Sequence, residues 1–204
     1  WATENKKAFP NWEALKELNA LKTFEKIPAI NSFLYEFYSM GAVRHGDYMA
    51  KVRVKPTEET KQRVQQKDVN IESEDWPYRS AIIEEIAKND MTFELQVQLC
   101  NDLDKLPIND LTVEWDQELS PFQTVAKISI FQQEVPADGN FEIMENLSFT
   151  PFRTIEENSP IGNLQRTRQQ AYVTSSTSRH ALNHKKKVEP KNLKEAFDPS
   201  FYNL

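Results

Sequence analysis

Arg168, Tyr172 and Arg179 fall in the stretch from Pro160 to Asn183. Positions four apart on a helix lie one turn apart and positions seven apart lie two turns apart. The three side chains therefore share a face, with Gln165 and Ser176 between or beside them. A free phenol ionises near a pH of about 10. A guanidinium within hydrogen-bonding reach favours the phenolate, coordination to a metal favours it further, and a phenolate can bind ferric iron. The second arginine, two turns on, can meet a carboxylate. Arg-x-x-x-Tyr alone is a weak motif and is usually a surface packing pair, so the spacing supplies a geometry without supplying an identity.

The elements that must position this face are read from periodicity. The last helix is expected from about Ile161 to Asn183. Its run Thr174-Ser175-Ser176-Thr177-Ser178 is poor helix-forming sequence, and on propensity alone the helix would end at Tyr172. Upstream, Phe9–Thr23 carries Trp12, Leu15, Leu18 and Leu21 at helical spacing. Pro28 suits the first turn of a second helix running through Phe33, Leu34, Phe37 and Tyr38 to Gly41. Tyr48–Val54 alternates as a strand stopped by Pro56, and Thr57–Pro77 is polar and reads as a loop. Tyr78–Lys88 reads as a helix. Thr92–Leu99 and Thr124–Ile130 read as strands, with Phe93, Leu95, Val97 and Leu99 on one side of the first. Irregular structure is expected around Trp115, Ser120 and Pro121 and again from Pro136 to Pro160. The order gives an α+β class with an open sheet that needs further strands from elsewhere.

Composition narrows the options. The chain of 204 residues is 39% hydrophobic and 11% aromatic, which supports a core. Its net charge is -6, which argues against nucleic acid and anionic membrane surfaces as partners. The short run Lys185-Lys186-Lys187 reads as part of a solvated tail. No stretch is apolar enough for a membrane span. The lone cysteine, Cys100, excludes an internal disulfide, reads as a small core residue, and favours a cytoplasmic compartment. The first residue is Trp1, not methionine, so the reading takes residues to be missing upstream and leaves a leader open.

Against this background, five segments resemble the haem catalases and the smaller catalase-like haem proteins, in the family's order. Arg44-His45-Gly46-Asp47-Tyr48-Met49-Ala50-Lys51 is similar to a strand of the smaller group. Phe93-Glu94-Leu95-Gln96-Val97-Gln98 resembles a barrel strand. Asp110–Trp115 is similar to the Leu-Thr-x-x-Trp segment, followed by Ser120-Pro121-Phe122 where the family places a proline-containing link. Glu145–Pro151 is similar to the Phe-x-Pro segment beside the haem. Pro160–Tyr172 with Arg179 resembles the proximal helix. The likeness is thin over Trp1–Met40 and absent after Lys186. It implies a catalase-type antiparallel β-barrel, present in part, with flanking helices and a C-terminal proximal helix. Residues 1–186 would form the C-terminal portion of a haem domain, and 187–204 a polar tail.

Carried over residue by residue, the resemblance makes Tyr172 the axial ligand of haem b iron. It makes Arg168 the group that stabilises the phenolate, Arg179 the partner of a propionate, and Phe149 a neighbour of the porphyrin edge. The substrate implied is hydrogen peroxide or an organic hydroperoxide. The family's distal histidine and asparagine belong to an N-terminal half, so the resemblance implies that this half, or a partner chain, supplies them. A homo-oligomer is a further family habit. His45 reads as structural, and His180 and His184 as exposed near the helix end. Larger catalases usually have histidine at Tyr48 and aspartate at Gly162, and their absence fits the smaller branch. Two other readings stand beside this one: a haem-free structural or interaction module on the same scaffold, and a fatty-acid hydroperoxide rearrangement of the allene oxide synthase type.

Overall fold

The computed structural model describes residues 28–135, 147–185 and 190–196. The expected helix at Phe9–Thr23 and the boundary at 186/187 lie outside the described residues. The sheet has strands β1 (Phe37–Tyr38), β2 (Val43–His45), β3 (Tyr48–Pro56), β4 (Met91–Leu99) and β5 (Gln123–Ile130). Helices α1 (Glu58–Arg63) and α2 (Pro77–Ile86) interrupt it, and α3 (Asn163–Leu182) and the short α4 (Leu193–Ala196) follow. Every pairing is antiparallel, in the order β1-β3-β4-β5, with β2 also on β3. The sheet is not closed among the described residues: β1 and β2 share one edge of β3, and β5 forms the other edge. An α+β fold with an open antiparallel sheet is thus the observed architecture, and it stops short of a barrel.

The three strands expected from alternation form nearly where expected. The helix expected from Pro28 to Gly41 does not. Asn31 accepts the Phe33 N–H at 3.0 Å and starts only a 3-10 turn over Ser32–Leu34. Tyr35 then turns extended (ψ 149°), and Phe37 and Tyr38 pair with Val54 and Arg53. Aromatics spaced for a helix fit a pleated surface equally well, and here β3 supplies that surface. Thr57–Pro77 is likewise not all loop. Thr57 caps α1 by accepting the Thr60 N–H at 3.2 Å, Glu58 and Glu59 occupy the positive first turn, and Lys61 and Arg63 close the last.

One sheet face is covered by these inserted elements. Phe33, Val64, Ile86, Met91 and Phe93 form the buried cluster, with Leu34, Val54, Ile82 and Ile130 packed on it. Polar bonds lock the cover down. Thr60 Oγ1 donates to Thr92 O and accepts from Thr92 N, each at 2.7 Å. The buried Glu85 accepts the N–H groups of Gln65 and Gln66 at 2.9 and 2.8 Å.

The opposite face is partly roofed by the irregular 100–122 segment. Gln98 Nε2 donates to Trp115 O at 3.0 Å and Ser120 O at 2.8 Å, so a polar strand position is buried with its bonds made. Lys51 Nζ sits 4.5 Å from the Trp115 ring centroid, and burial holds its pKa below the ordinary lysine value. Cys100 is half-buried, its Sγ donating to Leu106 O, and burial raises its thiol pKa. Strand β5 is exposed along almost its whole length. Val125 is an extra residue there, since Leu95 pairs with Ala126 and Gln96 with Thr124.

Candidate functional site

The helix that carries the Arg–Tyr face is started by the sheet. The chain from Glu157 to Ile161 runs along β2: Gly46 N donates to Glu157 O at 3.0 Å, Arg44 N to Ser159 O at 2.8 Å, and Ile161 N to Ala42 O at 3.0 Å. Gly162 then turns the backbone with φ 94°, a conformation that favours glycine. A Cβ there would also lie 3.2 Å from Asn109 Oδ1. That same oxygen accepts the first helical N–H, Asn163 N, at 2.8 Å. The helix thus begins two residues later than periodicity suggested, at a point bonded to both β2 and the 100–122 segment.

Once started, α3 runs unbroken through the Ser/Thr run to Leu182. Low propensity is overridden by its place in a long helix with both ends tied. Arg179 sits in the last turn, where a cation suits the carbonyl end, and His184, at φ 53°, ends the helix in the left-handed region.

The shared face is formed as the spacing requires. Arg168 Nη2 donates to Tyr172 Oη at 2.8 Å, and its guanidinium carbon lies 5.3 Å from the Tyr172 ring centroid. Tyr172 is half-buried. It lines a cleft of about 380 Å³ together with Ala171, Ser175, Ser176 and Arg179 from α3 and Leu147, Ser148 and Phe149 from the facing segment. Three of the four residues singled out in the sequence therefore border one cleft, and Arg168 stands bonded to Tyr172. Phe149 is 71% exposed. Arg179 Nη2 donates to Leu147 O at 2.6 Å, tying the facing segment to the helix. Arg153 steadies that segment too, donating to Ser148 O at 3.0 Å.

His180 is not exposed. It is 4% accessible, and its Nδ1 lies 2.7 Å from Ser176 O. Helical spacing placed it near the end of a polar helix, where exposure is the default; the polar sequence did not mark the turn that is covered. His184 is exposed, as expected, and His45 ends β2 rather than only preceding a strand. None of the three lines the cleft. Two residues placed on this face by spacing take parts that spacing did not assign. Gln165, one turn before Arg168, is buried and bonded to it, and Ser176 Oγ is buried in the cleft wall with no hydrogen-bond partner among the described residues. Gln165 was detectable as a residue on the same face; the isolation of Ser176 Oγ is tertiary and leaves no trace in the sequence. Among the described residues no group of three or more His, Cys, Asp or Glu side chains could hold a metal ion, and no helix is long and apolar enough to cross a membrane.

No family model matches this chain, and no curated protein matches it either. Solved structures do. A fungal catalase superposes with a TM-score of 0.58 at 19% identity, over 74% of this chain and 32% of the catalase. Catalase A from Saccharomyces cerevisiae superposes with a TM-score of 0.62 at 17% identity, over 93% of this chain and 44% of that one. The chain therefore spans less than half the length of these structures. At such identities the likeness is one of fold, and the fold is catalase-like.

Proposed function

We propose that this chain forms the tyrosinate side of a haem b site in a catalase-like protein acting on hydrogen peroxide or organic hydroperoxides. The observation that carries the reading is the Arg168–Tyr172 bond at the edge of an open cleft. Haem would ask a protein for a donor to its iron, apolar surface, and cations for its carboxylates. The residues present fit that demand. Tyr172 offers the donor oxygen, Leu147, Phe149 and Ala171 offer apolar surface, and Arg179 offers the cation. The unpartnered Ser176 Oγ is a polar atom that a ligand in the cleft can satisfy.

When bound, haem would supply the ferric centre at which the peroxide bond is cleaved. The chain's own residues have narrower tasks. Arg168 presents a charge-assisted donor to the phenolic oxygen, compensating the negative charge that oxygen carries as a ligand. Arg179, placed at the cleft by its bond to Leu147, would supply the positive charge for a carboxylate of the bound group. Phe149, exposed at the cleft, gains a partner for its ring when the cleft is filled. No histidine of this chain lines the cleft, and in this reading the group that moves a proton between peroxide oxygens would come from an upstream segment or a partner chain.

The test is haem titration of the whole polypeptide that carries this chain, followed by peroxide consumption. A ferric Soret band at one equivalent with peroxide turnover is the expected result. Absence of the band would favour the haem-free module. A band with turnover only of lipid hydroperoxides would favour the rearrangement reading.

A further inference from the structure

We infer that Gln165 is the positioning residue of this site: it clamps the Arg168 guanidinium to the sheet so that Nη2 stays on the Tyr172 oxygen. Its catalytic meaning rests on the haem reading above; the clamp itself does not.

Among the described residues, α3 buries only Gln165 and His180. A glutamine in a buried slot is unfavourable unless both ends of its amide are bonded, so its presence calls for partners of the right polarity. Both are there. Oε1 accepts from Arg168 Nη1 at 3.1 Å, and Nε2 donates to Ala42 O at 3.4 Å. The chemistry fixes the amide's orientation, because a guanidinium can only donate and a carbonyl can only accept. The seat is shaped for this side chain. Gly41 lies directly against it, and a Cβ at that position would come within 3.0 Å of Gln165 Nε2. Ala42 is itself buried, and its carbonyl also takes the Ile161 N–H, so the anchor is part of the β2 edge that starts α3.

The result is one continuous chain of bonds: Ala42 carbonyl, Gln165 amide, Arg168 guanidinium, Tyr172 oxygen. An arginine held only at its far tip keeps much of its rotamer freedom. One held at Nη1 and Nη2 together has the plane of its fork fixed, so little ordering remains when the phenolic oxygen takes on charge. Leucine or methionine at 165 would fill the slot and pack the helix as well, but would leave Nη1 without its acceptor. That separates positioning from packing.

The test reads the Arg168 guanidinium by nitrogen-15 NMR in the full polypeptide without haem, with Arg168→Lys to assign its signals. The wild-type protein should show separate, slowly exchanging Nη resonances. Gln165→Leu and Gln165→Met should remain folded yet speed rotation of the guanidinium by about tenfold or more, the scale of one lost charge-assisted bond. Gln165→Glu, which keeps the acceptor, should retain slow rotation. Should the leucine variant fail to fold, the methionine and glutamate variants carry the comparison. Equally slow rotation in wild-type, leucine and methionine proteins would overturn the clamp. After haem loading, the leucine and methionine variants should keep a tyrosinate-ligated spectrum displaced toward that of Arg168→Lys. Wild-type protein that takes up no haem, with the NMR contrast intact, would remove the haem reading and leave the clamp standing.

Discussion

Two regions of this molecule are built on opposite terms. The covered end of the sheet, where the 3-10 turn, α1 and α2 close over β3 and β4, is held by apolar packing around Met91 and Phe93, with polar bonds at its rim. Helix α3 buries almost nothing apolar. It is attached by point bonds: Asn163 to Asn109, Gln165 to Ala42, and Arg179 to Leu147. The first arrangement makes a scaffold. The second holds specific side chains at specific places while leaving the surface between them open, which is what a binding face requires.

The contrast can be broken by substitution. Met91→Ala should have the largest effect, about 3 kcal/mol of lost stability in chemical denaturation, because Met91 is fully buried at the centre of the apolar cluster. A loss under about 1 kcal/mol would mean that the packed end is not the scaffold. Glu85→Ala comes next, at about 2 kcal/mol, since it leaves the N–H groups of Gln65 and Gln66 without an acceptor; Glu85→Gln, which keeps one, should lose less. Thr57→Ala removes the α1 cap and should cost about 1 kcal/mol, with Thr57→Ser recovering most of it. Tyr172→Phe should have the smallest effect, about 0.5 kcal/mol, at the low end for a single hydrogen bond because both partners are only half-buried and solvent can replace the lost partner. If it proves as damaging as Met91→Ala, the α3 face is structural after all.

The same contrast explains what could be read from the residues alone. Strands β3, β4 and β5 announce themselves because alternation reports a sheet directly. Helix α1 does not, because within its short span the only signals are a threonine cap and a charge order, and its apolar contact comes from Val64 just beyond it. The Phe33-to-Tyr38 aromatics fit a helical period and a strand period alike, and only the pairing of Phe37 with Val54 decides between them. At the candidate site, the Arg168–Tyr172 relation is local and was legible from four-residue spacing. Gln165 was legible as a member of that face, but its burial depends on Ala42, far away in the chain, and the polar helix carried no sign of that burial or of the burial of His180. The likeness to catalases, read from ordered short segments, reappears as a catalase-like fold, although the sheet stays open among the described residues.

The central claim is that Tyr172 is an iron ligand. Its most direct test is the ferric absorption and electron paramagnetic resonance spectrum of the haem-loaded polypeptide, wild type against Tyr172→Phe. The account predicts a high-spin ferric spectrum with a tyrosinate charge-transfer band in the wild type, and loss of that band with weakened haem retention in the phenylalanine variant. Full haem uptake by the variant with an unchanged spectrum would contradict it.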